Sequence, residues 1–125
     1  MPIVDIEVLE DADNPASLDA HLQTLTDRLG ELFSSDAAGT WVRLRNLSRA
    51  HYAENQAAVE TNMRPTFVTV LKARLPDADA LRAEAKQIAV TVGTALDRPH
   101  ANVHVLYAPP AEGRLAFGGE LLEAR

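Results

Sequence analysis

The stretch MPIVDIEVLE places a proline directly after the initiator methionine. Removal of Met1 would leave Pro2 as the N-terminus, a secondary amine in place of a tertiary amide. An α-amino group ordinarily has a pKa of about 7.7 to 8.0. A partly dry pocket lined by cations disfavours its protonated form and lowers that value. A base poised near the working pH can take a proton from one atom of a substrate and return it to another, which is the chemistry of tautomerisation. From these two residues alone, Pro2 also reads as an incidental strand-start proline, a position that needs no ladder donor.

The other residue types narrow the chemistry. There is no cysteine, which removes disulfides, thiolate nucleophiles and thiolate-bound zinc. The histidines are His21, His51, His100 and His104. His100 and His104 stand four apart, but they follow Pro99 in a stretch that reads as a loop entering a strand rather than one helix face. No metal or other cofactor is expected. His51 and His104 can act near neutrality, although a lone histidine is more often a surface or structural residue. The net charge of −6 argues against a nucleic-acid partner, yet it permits local cationic pockets, so arginines matter by position.

The elements that must carry these residues are readable next. The 125 residues suit one domain, taken as 1–125, with one modest core. No apolar run approaches the ~20 residues of a membrane helix, and the start of the chain lacks the regions of a secretory signal, so the reading is a cytoplasmic protein with no membrane partner. A self-similarity scan finds an ungapped offset of 63 pairing Pro2 with Pro65, Asn14 with Asp77, Leu18 with Leu81, Leu25 with Ile88, Gly30 with Gly93 and Val42 with Val105. It divides the chain into repeat units of about 2–62 and 65–125.

Each unit reads strand, helix, strand. Val4, Ile6 and Val8 alternate with Ile3, Asp5 and Glu7. Asn14 is placed to cap a helix with Pro15 at its first position, and Leu18, Leu22, Leu25, Leu29 and Leu32 mark one helical face. TWVRLRNL follows as a strand. The second unit repeats this with PTFVTVLKA, a helix capped by Asp77 with Leu81, Ala85, Ile88 and Val92 on one face, and NVHVLYA. The fold class is α/β (α+β), with two tandem β-α-β units forming a four-stranded sheet and two helices on one face. The uncovered face carries Ile3, Leu9, Phe67 or Val68, and Leu106, and sheet-against-sheet oligomerisation is the simplest remedy. The tail RLAFGGELLEAR, with its Gly-Gly turn, predicts an extra strand or hairpin docking on a neighbour.

These pieces resemble the tautomerase superfamily of 4-oxalocrotonate tautomerase and macrophage migration inhibitory factor. The likeness rests on MPIVDIEVLE, on WVRLR with HYAEN beyond it, and on GRLAFGGEL. With the duplication, it covers nearly the whole chain as a fused, two-unit member. The resemblance implies a homotrimer whose sheets line a central barrel. It also implies a cofactor-independent isomerase, with Pro2 as base and acid on a small unsaturated 2-oxo or 2-hydroxy acid. Other branches of the superfamily are hydratases, dehalogenases or decarboxylases, and a non-catalytic trimeric binding protein is a further alternative.

The family places a carboxylate-binding arginine just past the first strand of a unit. The first half has Ala12 there, and the second half ends LKAR at Arg74, so the resemblance implies Arg74. The family's second arginine lies on the second strand, where Trp41 and His104 stand. Arg43 and Arg45 share a face with Trp41 and can substitute. The aromatic wall corresponds to Tyr52 in HYAEN and to Leu115, while Phe117 reads as a packing residue, across an interface. The expected site is Pro2 with Arg74, Arg43, Arg45, Tyr52 and His104, built across a subunit boundary.

Overall fold

Apolar alternation makes the sheet and apolar stripes make the helices. The computed structural model describes residues 2–11, 18–59 and 64–123. In order, these form β1 (Ile3–Leu9), α1 (Asp19–Leu32), β2 (Trp41–Leu47), β3 (Thr66–Leu71), α2 (Ala78–Leu96), β4 (Val103–Tyr107), β5 (Ala116–Phe117) and β6 (Glu120–Leu121). Ala12, Asn14 and Pro15 lie outside the described residues, as does Met1. Asp77 caps α2 as its side chain predicts, accepting a hydrogen bond from the Ala80 N–H at 2.9 Å.

The four-stranded sheet has the order β2-β1-β3-β4. The outer pairs β1/β2 and β3/β4 are parallel, and the central pair β1/β3 is antiparallel, with Ile3 opposite Leu71 and Glu7 opposite Phe67. Val4, Ile6, Val8, Val68 and Val70 on one sheet face pack with Leu25 and Leu29 of α1 and Ile88, Val92 and Leu96 of α2. Full burial of such a side chain contributes roughly 1.5 to 3 kcal/mol, so this layer holds the fold. Phe67 takes the opposite face and Val68 the core, which settles the alternative left by the sequence. The uncovered face presents Trp41 at 50% and Leu106 at 65% exposure. Arg43 also lies there, paired with Asp5 through Nε at 2.5 Å and Nη2 at 2.8 Å.

The 63-residue offset recurs in the backbone. Ser34 and Asp97 close the two helices with φ of 53° and 54°. The Ser35 N–H bonds to the Gly30 carbonyl as the Arg98 N–H bonds to that of Gly93, each at 2.8 Å. The tail turns at Gly118 and Gly119, both at positive φ, into the β5-β6 hairpin. Its Phe117 packs edge-on to Trp41 of the same chain, with ring centroids 5.4 Å apart.

The paired glycines have different surroundings. A Cβ on Gly93 would lie 2.7 Å from the Arg98 carbonyl oxygen and 3.2 Å from His100, whereas one on Gly30 would meet nothing within 4 Å. Gly93→Ala is expected to destabilise by about 1 to 3 kcal/mol. Gly30→Ala should stabilise by about 0.5 to 1 kcal/mol, since alanine loses less backbone entropy in a helix. Urea midpoints at unchanged slope measure both, and equal shifts in the same direction would contradict the steric difference.

Candidate functional site

Pro2 is buried at the head of β1, and its carbonyl accepts the Trp41 N–H at 3.0 Å. The end of β3 and the end of β4 meet it there, because β1 and β3 run in opposite directions. One side of this end is apolar: Trp41 and Phe117, with Ala38 and Gly39, line a hollow of about 240 Å3. The Trp41 indole N–H is tied to the Ala38 carbonyl at 2.9 Å, which fixes the ring. A smaller hollow of about 170 Å3 lies between Leu71, Ala108, Pro109, Ala111, Arg114 and Leu115.

Charged groups line the rest of this end. Past β3, Arg74 pairs with Glu112 at 2.9 Å. The backbone holds that loop in place, as the Ala111 N–H donates to the Lys72 carbonyl at 2.9 Å and the Glu112 N–H to that of Ala73 at 3.2 Å. On the helix side, the Lys72 ammonium donates to both oxygens of Glu84, at 3.2 and 3.0 Å. The Tyr107 hydroxyl donates to Glu84 Oε1 at 3.2 Å, and Lys72 Nζ lies 5.3 Å from the centre of the Phe33 ring. Burial raises the Tyr107 pKa strongly, and the charge and hydrogen bond of Glu84 raise it further.

Of the residues expected from the sequence, Arg74 shares the Pro2 end. Arg43 faces Asp5 midway along the open sheet face, and Arg45 stands opposite Glu7. Tyr52 and His104 gather around Phe67, with ring centroids 5.9 and 5.7 Å away. The Tyr52 hydroxyl donates to Glu54 at 2.6 Å, a bond that raises its pKa, with burial and the Glu54 charge adding to it. Phe67 lies four residues along the ladder from Leu71, about 13 Å at strand rise. One chain therefore brings Pro2 and Arg74 to the same end and sets Arg45, Tyr52 and His104 toward the other.

The opposite end mirrors the first without an amine. Pro65 is buried there, with its carbonyl accepting the Leu9 N–H at 3.2 Å. Asp11 Oδ1 lies 3.0 Å from Arg98 and 3.6 Å from Arg64. The Arg98 side chain is only 4% exposed. Burial lowers its pKa, against the opposing pull of Asp11. A groove of about 620 Å3 between α1 and α2 is lined by exposed side chains such as Arg28, Lys86 and Val90, on the outer side of the helices.

Sequence reasoning missed Lys72, Glu84, Tyr107 and Glu112. A signal for Glu84 existed: three residues after Leu81 and four before Ile88, it stands at an inward position of α2. Among the described residues no three His, Cys, Asp or Glu side chains gather to hold a metal ion, and no helix there is long and apolar enough to cross a membrane.

No protein-family model matches the chain, and no curated protein matches it in sequence. Solved structures share its fold. Pt0534 inactivated by 2-oxo-3-pentynoate superposes with a TM-score of 0.72 at 16% identity, over 96% of this chain and 94% of that one. A wild-type fused 4-OT, an asymmetric trimer, gives 0.70 at 18% identity over 94% and 95%. The macrophage migration inhibitory factor of Trichinella spiralis gives 0.66 at 12% identity over 94% and 96%. The fold is thus the one the tautomerase resemblance implied.

The raised phenol values carry a pH signature. The folded chain holds the Tyr107 proton above the ordinary phenol pKa of about 10, while the unfolded chain releases it there. The stability from this group is therefore complete below pH ~10 and falls as pH rises beyond it. Phenolate absorbance should show both Tyr52 and Tyr107 ionising late, with Glu84→Gln bringing Tyr107 downward. Two tyrosines titrating together at the ordinary value would contradict the Glu84 contact.

Proposed function

We propose that the chain is a cofactor-independent tautomerase of the tautomerase superfamily, acting on a small unsaturated 2-oxo or 2-hydroxy acid. The observation that carries this reading is a buried Pro2 at the head of β1, in a fold shared with a protein that 2-oxo-3-pentynoate inactivates. With Met1 removed, the Pro2 nitrogen takes the proton of an enol hydroxyl and returns a proton to the carbon of the enolate, so that the amine is regenerated. Arg74, released from Glu112, holds the substrate carboxylate through paired N–H donors. The enolate oxygen requires cationic or hydroxyl donors, and Arg43, Arg45, Tyr52 and His104 are the candidates. Because they lie away from Pro2 in one chain, they serve the site of a neighbouring subunit. A homotrimer like the fused 4-OT structures would supply them and cover the face that exposes Trp41 and Leu106.

A second reading is favoured by Glu112. A carboxylate 2.9 Å from Arg74 can activate water beside a cationic Pro2, which gives hydration, or the dehalogenation and decarboxylation chemistry of related branches. The two are separated by product: a keto acid isomeric with the substrate, or one that has gained water or lost halide or carbon dioxide.

Pro2→Ala should lower kcat/KM for ketonisation of a simple enol acid by about 100- to 10,000-fold, the usual share of a general base, with the oligomer unchanged by light scattering. Treatment with 2-oxo-3-pentynoate should add one reagent mass to the peptide bearing Pro2, on protein whose N-terminus has been read by mass. A retained Met1, or full turnover by Pro2→Ala, sinks Pro2 as the base, whereas absence of turnover in the wild type lacking Met1 leaves the trimeric binding protein as the reading.

A further inference from the structure

The backbone of β1 alternates in a way that singles out Lys72. Leu9 N–H bonds to Pro65 of the β3 side, whereas the Pro2 carbonyl is bonded from Trp41 of β2. Odd-numbered residues of β1 thus turn their backbone groups to β3 and even-numbered ones to β2. One step beyond the pair Ile3 and Leu71, Pro2 stands opposite Lys72 in a pair without mutual hydrogen bonds, the kind in which side chains approach most closely, with Cα atoms about 4.5 Å apart. Both side chains project to the helix-covered face, in line with Val4 and Val70.

Lys72 is also held. Its side chain is 19% exposed and that of Glu84 15%. Both carboxylate oxygens of Glu84 take its ammonium, the Tyr107 hydroxyl shares Oε1, and the Phe33 ring lies over it. A pair this dry contributes little to stability over apolar side chains of the same size. What it does provide is a positive charge of fixed position beside a buried proline. Other charged groups of this end are Arg74, past β3, paired with Glu112 in the loop after β4, Arg114 in the hollow beside Leu71, and the exposed Glu31 near the end of α1.

We propose that Lys72, positioned by Glu84 and Tyr107, sets the proton affinity of the Pro2 amine. Its ammonium disfavours a second positive charge on the neighbouring nitrogen and keeps the amine unprotonated at neutral pH. Glu84 limits the effect by neutralising part of that charge. Lys72 is a positioning residue here, acting on the base rather than on the substrate, and the inference rests on Pro2 being the base.

The test is the pKa of the Pro2 nitrogen by 15N NMR, beside the acid limb of kcat/KM against pH, on protein lacking Met1. Lys72→Met should raise both by about one unit, moving the activity rise to higher pH. Lys72→Arg should keep both close to wild type, and Glu84→Gln should lower both by exposing the amine to an uncompensated cation. Opposite signs for Lys72→Met and Glu84→Gln are outside the reach of a packing defect. An amine that titrates identically in all four proteins while the wild type turns over would overturn the role of Lys72 and leave Pro2 as the base. Wild-type turnover that persists in Pro2→Ala would instead remove the base, and this inference with it.

Discussion

The antiparallel pairing of β1 with β3 sets the two halves of the chain head to tail. Each half brings a parallel strand and a helix, and the central ladder decides what meets at each end. Because of it, the start of β1 lies beside the end of β3, so a residue at the N-terminus is met by side chains from past position 71. Parallel pairing there would have brought Pro2 beside Pro65 and left the LKAR segment at the far end of the sheet.

The same arrangement distributes charge unequally between the sheet faces. On the uncovered face, Arg43 and Asp5 are paired in water, where such a bridge contributes about 0 to 1 kcal/mol. On the covered face, Lys72 and Glu84 are largely withdrawn from water, and their attraction must offset desolvation. A second subunit against the open face would withdraw Arg43 and Asp5 as a pair already made, a smaller penalty than burying either alone. Trp41 and Leu106 supply apolar area for such a contact.

Much of this was legible in the residues. The spacing of Leu25 and Leu29, and of Ile88 and Val92, fixed the buried stripes; Asp77 marked a helix start, and Gly118-Gly119 marked the hairpin. Where both phases of a strand are apolar, alternation is silent: TFVTVL does not say whether Phe67 or Val68 faces the core, and only its pairing with β1 decides. The Lys72, Glu84 and Tyr107 cluster was hidden for another reason. Its members come from three elements, 12 and 23 residues apart, and no local period connects them. Phe117, read as a packing residue, packs on Trp41 of its own chain.

The prolines that open the two halves also restrict sliding of the central strands. Side chains keep their faces when a strand slips by two residues, so the hydrophobic pattern alone does not forbid such a shift. Slipping one way would move Pro65 from the end of the ladder, opposite Leu9, to its interior, opposite Glu7, where a proline without N–H leaves the Glu7 carbonyl with no ladder donor. Slipping the other way exchanges Lys72 for Arg74 opposite Pro2 and draws β3 out of line with the end of β1. The observed alignment thus keeps Pro65 at the margin of the ladder, opposite Leu9, and a lysine opposite Pro2.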